Sequence, residues 1–188
     1  MQNESSIKKV ISFIKEHYGF NVINVQPLEG YANLNFRVKD DKGNSYVFKS
    51  HQNDRDPQFF KSETRVLDQL NKCFPDQFPR PIKAKDGSFI ISRENEGLLQ
   101  TDRLLSWVEG DLMVNTPHSI DLFDSFGRLL AKMDKELLGM NDPIIAARHI
   151  EWDIQYFLDL RSKSKSISNP SLQKMVDYYF LQYNQSVI

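Results

Sequence analysis

Arg103-Leu-Leu-Ser-Trp-Val-Glu-Gly110 is the stretch on which the architecture turns. Its apolar start reads as the end of a strand running from Leu98 to Val108, and Glu109-Gly110 breaks that strand. Before the break the chain alternates in the manner of strands. After it, apolar residues recur every three or four positions. A small sheet followed by helices predicts an α+β fold, with residues 1–108 forming a sheet-bearing lobe and residues 109–188 the start of a helical one.

Upstream of this stretch, Val22–Leu28, Asn35–Val38 and Tyr46–Lys49 read as three strands of an antiparallel meander, with Asp40-Asp-Lys-Gly43 as a turn. Arg80–Ala84 and Ser88–Ser92 flank a further turn at Lys85-Asp-Gly87, and the expected sheet has five strands. A helix precedes the sheet, with Ser5 or Ser6 as N-cap and Gly19 as its end. A second spans Pro57 to Asn71, with Phe59, Phe60, Glu63, Val66 and Leu70 on one face. Downstream, the spacing predicts helices over Pro117–Leu138, Trp152–Leu160 and Leu172–Tyr183. The polar run Arg161–Pro170 reads as a solvated connection.

Bulk properties exclude several classes. Twenty-four basic residues balance 25 acidic ones, so neither nucleic acid nor an anionic membrane is expected as a partner. No apolar run approaches the roughly 20 residues that span a bilayer. The first residues lack the pattern of a secretory signal. Cys73 is the single cysteine, which rules out an internal disulfide and fits a reducing cytoplasm. With one Cys and four scattered His, no metal site is expected in this chain.

Four features carry chemistry. Lys49 sits on the apolar run Tyr46-Val-Phe-Lys49 and, by alternation, shares a face with Val47. On the strand pattern alone, a solvent-facing edge lysine is the simpler reading. Glu63 lies within the apolar stripe of the following helix, where a carboxylate needs a cation, and Lys49 is the natural candidate. A strand lysine paired to a helix glutamate is an arrangement that positions nucleotide phosphates. Glu29–Asn35, containing Gly30, Asn33 and Asn35, is a loop whose N–H groups could cover phosphates, although taken alone an ordinary hairpin turn is the simpler reading. Ser106, Trp107 and Val108 lie where the strand gives way to the break, with Trp107 read more readily as packing than as a base-stacking residue.

In order, these elements resemble the aminoglycoside phosphotransferase and choline kinase-like family. The likeness is greatest to the hydroxylysine kinase-like branch, which includes modules fused to class III aminotransferases. Tyr18-Gly-Phe-Asn-Val22, Leu28-Glu-Gly-Tyr-Ala-Asn-Leu-Asn-Phe-Arg-Val38, Tyr46–Lys49, Arg103–Gly110, Phe126-Gly-Arg-Leu-Leu-Ala-Lys-Met133 and Glu151-Trp-Asp153 carry the resemblance. It implies a protein-kinase-like N-lobe followed by the first C-lobe helices. Lys49 would hold phosphates, Glu63 would orient it, and residues near Ser106 and Val108 would meet the base. ATP is the implied donor, with GTP as the alternative, and Mg2+ would act in the complete parent protein.

The resemblance also shows what is missing. The family's catalytic loop reads His-x-Asp with an Asn five residues on, and a second Asp binds metal. None of His17, His51, His118 and His149 begins His-x-Asp. The chain therefore reads as the nucleotide-binding portion of a kinase for a hydroxyl of a small metabolite, such as an amino alcohol or hydroxy amino acid. It is expected to stop short of the catalytic loop and to be inactive alone. The competing reading is a non-catalytic binding or regulatory module. Helical faces around Phe123, Phe157, Tyr179 and Phe180 are expected to be partly uncovered and available for homodimerisation.

Overall fold

The computed structural model describes residues 4–30, 34–52, 57–95, 97–149 and 153–186. The chain forms two compact units, Met1–Ile145 and Ala146–Ile188. The first begins with α1 (Glu4–His17) and continues through β1 (Val22–Leu28), β2 (Leu34–Asp40), β3 (Ser45–Gln52), α2 (Pro57–Cys73), β4 (Pro81–Ile82), β5 (Ile91–Asn95) and β6 (Leu98–Ser106) to α3 (Ile120–Leu137). The sheet is antiparallel in the order β1-β2-β3-β6-β4, and β5 also pairs with β6. It has six strands rather than the expected five, because β4 and β5 attach to different lengths of the long strand β6.

Strand alternation sorts the sheet into two faces. Phe36, Val38, Phe48 and Leu104 point to one side and pack with Val10, Phe13 and Ile14 of α1. Ile14, Val38 and Leu104 are fully buried there, each contributing about 1.5–3 kcal/mol of burial. The other face carries Asn35, Arg37, Val47, Lys49, His51 and Arg103, and α2 lies against it, with Phe60 4.4 Å from the His51 ring. The sheet is thus covered by α1 on one side and α2 on the other.

The register that aligns these residues is set at the β2–β3 turn. Asp40 accepts hydrogen bonds from the backbone N–H groups of Lys42 and Asn44 at 3.0 and 2.8 Å. It also accepts from the Asn44 amide at 2.8 Å and the Tyr46 hydroxyl at 3.1 Å. Gly43, at φ 90°, supplies the left-handed residue that closes the turn. Val38 then pairs with Tyr46, and Asn35 falls opposite Lys49.

Several helix boundaries differ from the sequence expectation, for local reasons. Ser5 and Ser6 lie inside α1 rather than capping it. Ser119 caps α3 by accepting from the Leu122 N–H, so that helix starts at Ile120 rather than at Pro117. A short helix, α4 (Pro143–Ala146), follows α3, and in the second unit Asn169 caps α5 (Pro170–Ser186), with Pro170 in its first turn, two residues before the expected start. The stretch Ile154–Ser166 is 3-10 helical, so most of the expected solvated connection is structured. Phe180 is buried and stacks on Phe157 at 4.5 Å, which corrects the expectation that Phe180 is partly uncovered; Phe157 is half-buried. Phe123 and Tyr179 are exposed. The start expected at Trp152 lies outside the described residues. Among the described residues, no helix is long and apolar enough to cross a membrane.

Burial of Asp40 opposes its ionisation, and the hydrogen bonds from Asn44, Tyr46 and Lys42 outweigh that effect and hold its carboxyl below the ordinary range. A depressed folded-state pKa stabilises the fold fully above the unfolded aspartate value and is lost as pH falls through the folded one. Urea unfolding measured from pH 7 downward should therefore show Asp40→Asn flattening the fall in stability below about pH 4. At pH 7 the substitution should cost about 1–2 kcal/mol.

Candidate nucleotide-binding site

Lys49 lies on β3, which runs between β2 and β6. It is therefore not an edge lysine, and its half-buried side chain shares a face with Val47, as alternation predicts. Directly across from it stand Asn35 on β2 and Arg103 on β6. Side chains so paired stand about 5 Å apart at Cβ. A row of amide, ammonium and guanidinium therefore crosses three neighbouring strands on one face.

Glu63 reaches this row from α2. Its Oε2 lies 2.7 Å from Nη1 of Arg103. Arg103 is thus a cation held against Glu63; the sequence suggested Lys49. Phe60, one turn before Glu63, lies under the same guanidinium, with Cζ 4.8 Å from its ring centroid. Lys49 and Arg103 thus place two cationic side chains next to each other on this face, with Glu63 against Arg103.

At the end of β6, Ser106 is tied down through both its backbone and its side chain. Its N–H donates to the Arg80 carbonyl, and its Oγ accepts from the Arg80 N–H, both at 2.8 Å. The Trp107 N–H donates to the Ser45 carbonyl at 3.1 Å, which carries the β3–β6 pairing one residue further. Val108 has left the ladder. Its N–H has no hydrogen-bond partner among the described residues, and an open backbone donor beside a strand end can meet the edge of a base.

Arg37 closes this end of the face. Its guanidinium sits 4.0 Å over the Trp107 ring and 3.5 Å from Oε1 of Glu109, and it donates to Ser45 Oγ at 3.4 Å. Trp107 therefore packs against a cation, and its indole N–H is buried without a partner among the described residues. Gly30 lies just past β1 and is exposed, and Asn33 lies outside the described residues. The structure thus brings Asn35, Lys49 and Glu63 together with Arg103, and sets Ser106, Trp107 and Val108 at the end of the same strand. Sequence reasoning gave no role to Arg37 or Arg103. Arg37 is a lone arginine between Phe36 and Val38, and that was the available signal for it; Arg103, next to Asp102 in a strand with Gln100 and Thr101, gave none.

Among the described residues, no group of three or more His, Cys, Asp or Glu could hold a metal ion.

The model of the phosphotransferase enzyme family (APH) matches residues 24–158, which include the whole sheet apart from the start of β1. The chain belongs to this family. Among curated proteins it is 24% identical to hydroxylysine kinase of Xenopus laevis, over 96% of this chain and 52% of that protein. It is 22% identical to hydroxylysine kinase of Mus musculus, over all of this chain and 55% of that one. Among solved structures it is similar to amicoumacin kinase hAmiN in complex with AMP-PNP and Ca2+, with a TM-score of 0.72 and 17% identity, over 100% of this chain and 57% of that one. A microcompartment-associated aminopropanol kinase gives a TM-score of 0.61 and 16% identity, over 85% and 55%. These structural likenesses concern the fold. The chain spans about half the length of the relatives it matches.

The Arg37–Trp107 stack is open to a direct test in a Trp152→Phe background, where Trp107 is the sole tryptophan. Arg37→Ala should shift its fluorescence to the red and roughly double its acrylamide quenching, because a stacked guanidinium excludes both water and quencher.

Proposed function

We propose that this chain is the nucleotide-binding portion of a small-molecule phosphotransferase, and that the nucleotide lies on the sheet face marked by Asn35, Lys49 and Arg103. The observation that carries this reading is the cationic row on interior strands, placed beside a strand end with an open backbone N–H at Val108. Lys49 would hold phosphate oxygens, Glu63 would order the cations around them, and Ser106 and Val108 would meet the base through their backbones. Val47 and Trp107 flank that position, and the loop at Gly30–Asn35 would cover the phosphates. ATP is the expected donor, with GTP second.

The parent reaction would move the γ-phosphoryl group to a hydroxyl of a small amino alcohol or hydroxy amino acid. Hydroxylysine kinases and an aminopropanol kinase among the similar proteins support that substrate class. Residues 1–108 would be the N-lobe and residues 109–188 the first part of the C-lobe. A cytoplasmic setting fits both the donor and the single exposed Cys73. Homodimerisation would use the exposed apolar residues of α3 or α5.

The second reading is a non-catalytic binding or regulatory module that keeps the kinase-like sheet without an active site.

Calorimetric titration of this chain with ATP and Mg2+ separates them: binding supports the first reading and a flat response the second. Lys49→Ala should weaken ATP binding about tenfold or more, the worth of a charge-assisted contact of about 1.5–3 kcal/mol. Adenosine binding should change little. Equal ATP affinity in the variant would remove Lys49 from the site.

A further inference from the structure

We propose that Arg103 is a positioning residue of the nucleotide site, which fixes α2 against the sheet through Glu63 and Phe60. This rests on the nucleotide reading of that face given above. Arg103 is 3% exposed on the interior strand β6, directly opposite Lys49. Its guanidinium meets two residues of α2 at once. Glu63 binds its charge at 2.7 Å, and Phe60 lies beneath its plane. The two are three residues apart, so they share one face of the helix. Phe60 is itself fully buried and touches His51, two residues beyond Lys49 on β3. The helix is therefore held at one point by an ion pair and an aromatic contact, both centred on Arg103.

The burial of the pair is unequal. The Arg103 side chain is 4% exposed, whereas that of Glu63 is 35% exposed and can turn toward water. The Nε and Nη1 of Arg103 and the Oε2 of Glu63 are all buried without a well-aligned hydrogen bond among the described residues, so the pair is held by charge at close range. Glu63 is the one carboxylate paired with this guanidinium among them. Losing Glu63 strands a buried charge, and losing Arg103 strands a carboxylate that water can reach. The two substitutions should therefore be unequal in stability, with Glu63→Gln the more damaging.

An arginine anchor has a functional consequence. When Glu63 is held by the neighbouring strand, α2 keeps its place beside Lys49. Arg103 then serves ATP binding by keeping α2 and the charge around Lys49 in register, without itself touching the base.

Hydrogen exchange of the whole chain, read separately over α1 and α2, tests the anchor. Arg103→Met should speed exchange in α2 about tenfold or more, and leave α1, on the opposite face, unchanged. Arg103→Lys, which keeps the charge without the planar fork, should give a smaller change in the same direction and serves if the methionine variant does not fold. In calorimetry, Arg103→Met should weaken ATP binding while changing adenosine binding much less, and Arg103→Lys should restore part of the loss. The proposal is overturned if α1 and α2 open together, if α2 is unaffected, or if ATP and adenosine weaken alike. A wild-type chain that binds no ATP ends the nucleotide reading and the functional half of the proposal, and the exchange result still decides whether Arg103 anchors α2.

Discussion

A guanidinium on an interior strand must have a counter-charge, and in this chain the helix across the sheet supplies it. Arg103 cannot be solvated where it stands, at 3% exposure between β3 and β4. Glu63 answers that need, and by doing so it fixes where α2 crosses the face. Register sets the polar row on this face, while Ser50, Gln100 and Asp102 form a separate buried polar cluster on the other. Asn35, Lys49 and Arg103 lie side by side because the Asp40 turn sets the β2–β3 register and β6 pairs in line with β3.

The two faces of the sheet divide the work. The side under α1 is an apolar core, where Ile14, Phe36, Phe48 and Leu104 interlock. It gives the sheet the stiffness that a precise polar row requires. The side under α2 mixes aromatic contacts with charges, and it ends at Trp107, where Arg37 bridges β2 to Glu109. That bridge ties the segment after β6 to the sheet, so the strand end beside Val108 is held from two directions.

Much of this could be read from the sequence, and the failures have physical causes. Alternation placed Lys49 and Val47 on one face, and the apolar stripe of residues 57–71 placed Glu63 toward a cation. Alternation could not say which strands are neighbours. β3 pairs with β6 across about 50 residues of chain, and only that pairing makes Lys49 interior and puts Arg103 beside it. The stripe pattern showed the need for a cation, and the strand pairing adds Arg103 of β6 as the one 2.7 Å from Glu63. Capping decided the helix starts that periodicity blurred: Ser119 over Pro117, and Asn169 with Pro170 over Leu172. The polar run after Arg161 looked like a linker because it lacks an apolar stripe. It folds as a 3-10 segment whose buried Ser164 donates to Asp177 of α5 at 2.8 Å. A side-chain hydrogen bond of that kind leaves no periodic trace.

The central claim is that the α2 side of the sheet, and not the α1 side, receives a nucleotide. Photolabelling with 8-azido-ATP, followed by peptide mapping, tests it most directly. The account predicts label on the peptides containing Val47 and residues 106–110, lost when excess ATP is present. Label on α1, or label at any site that ATP does not displace, would contradict it.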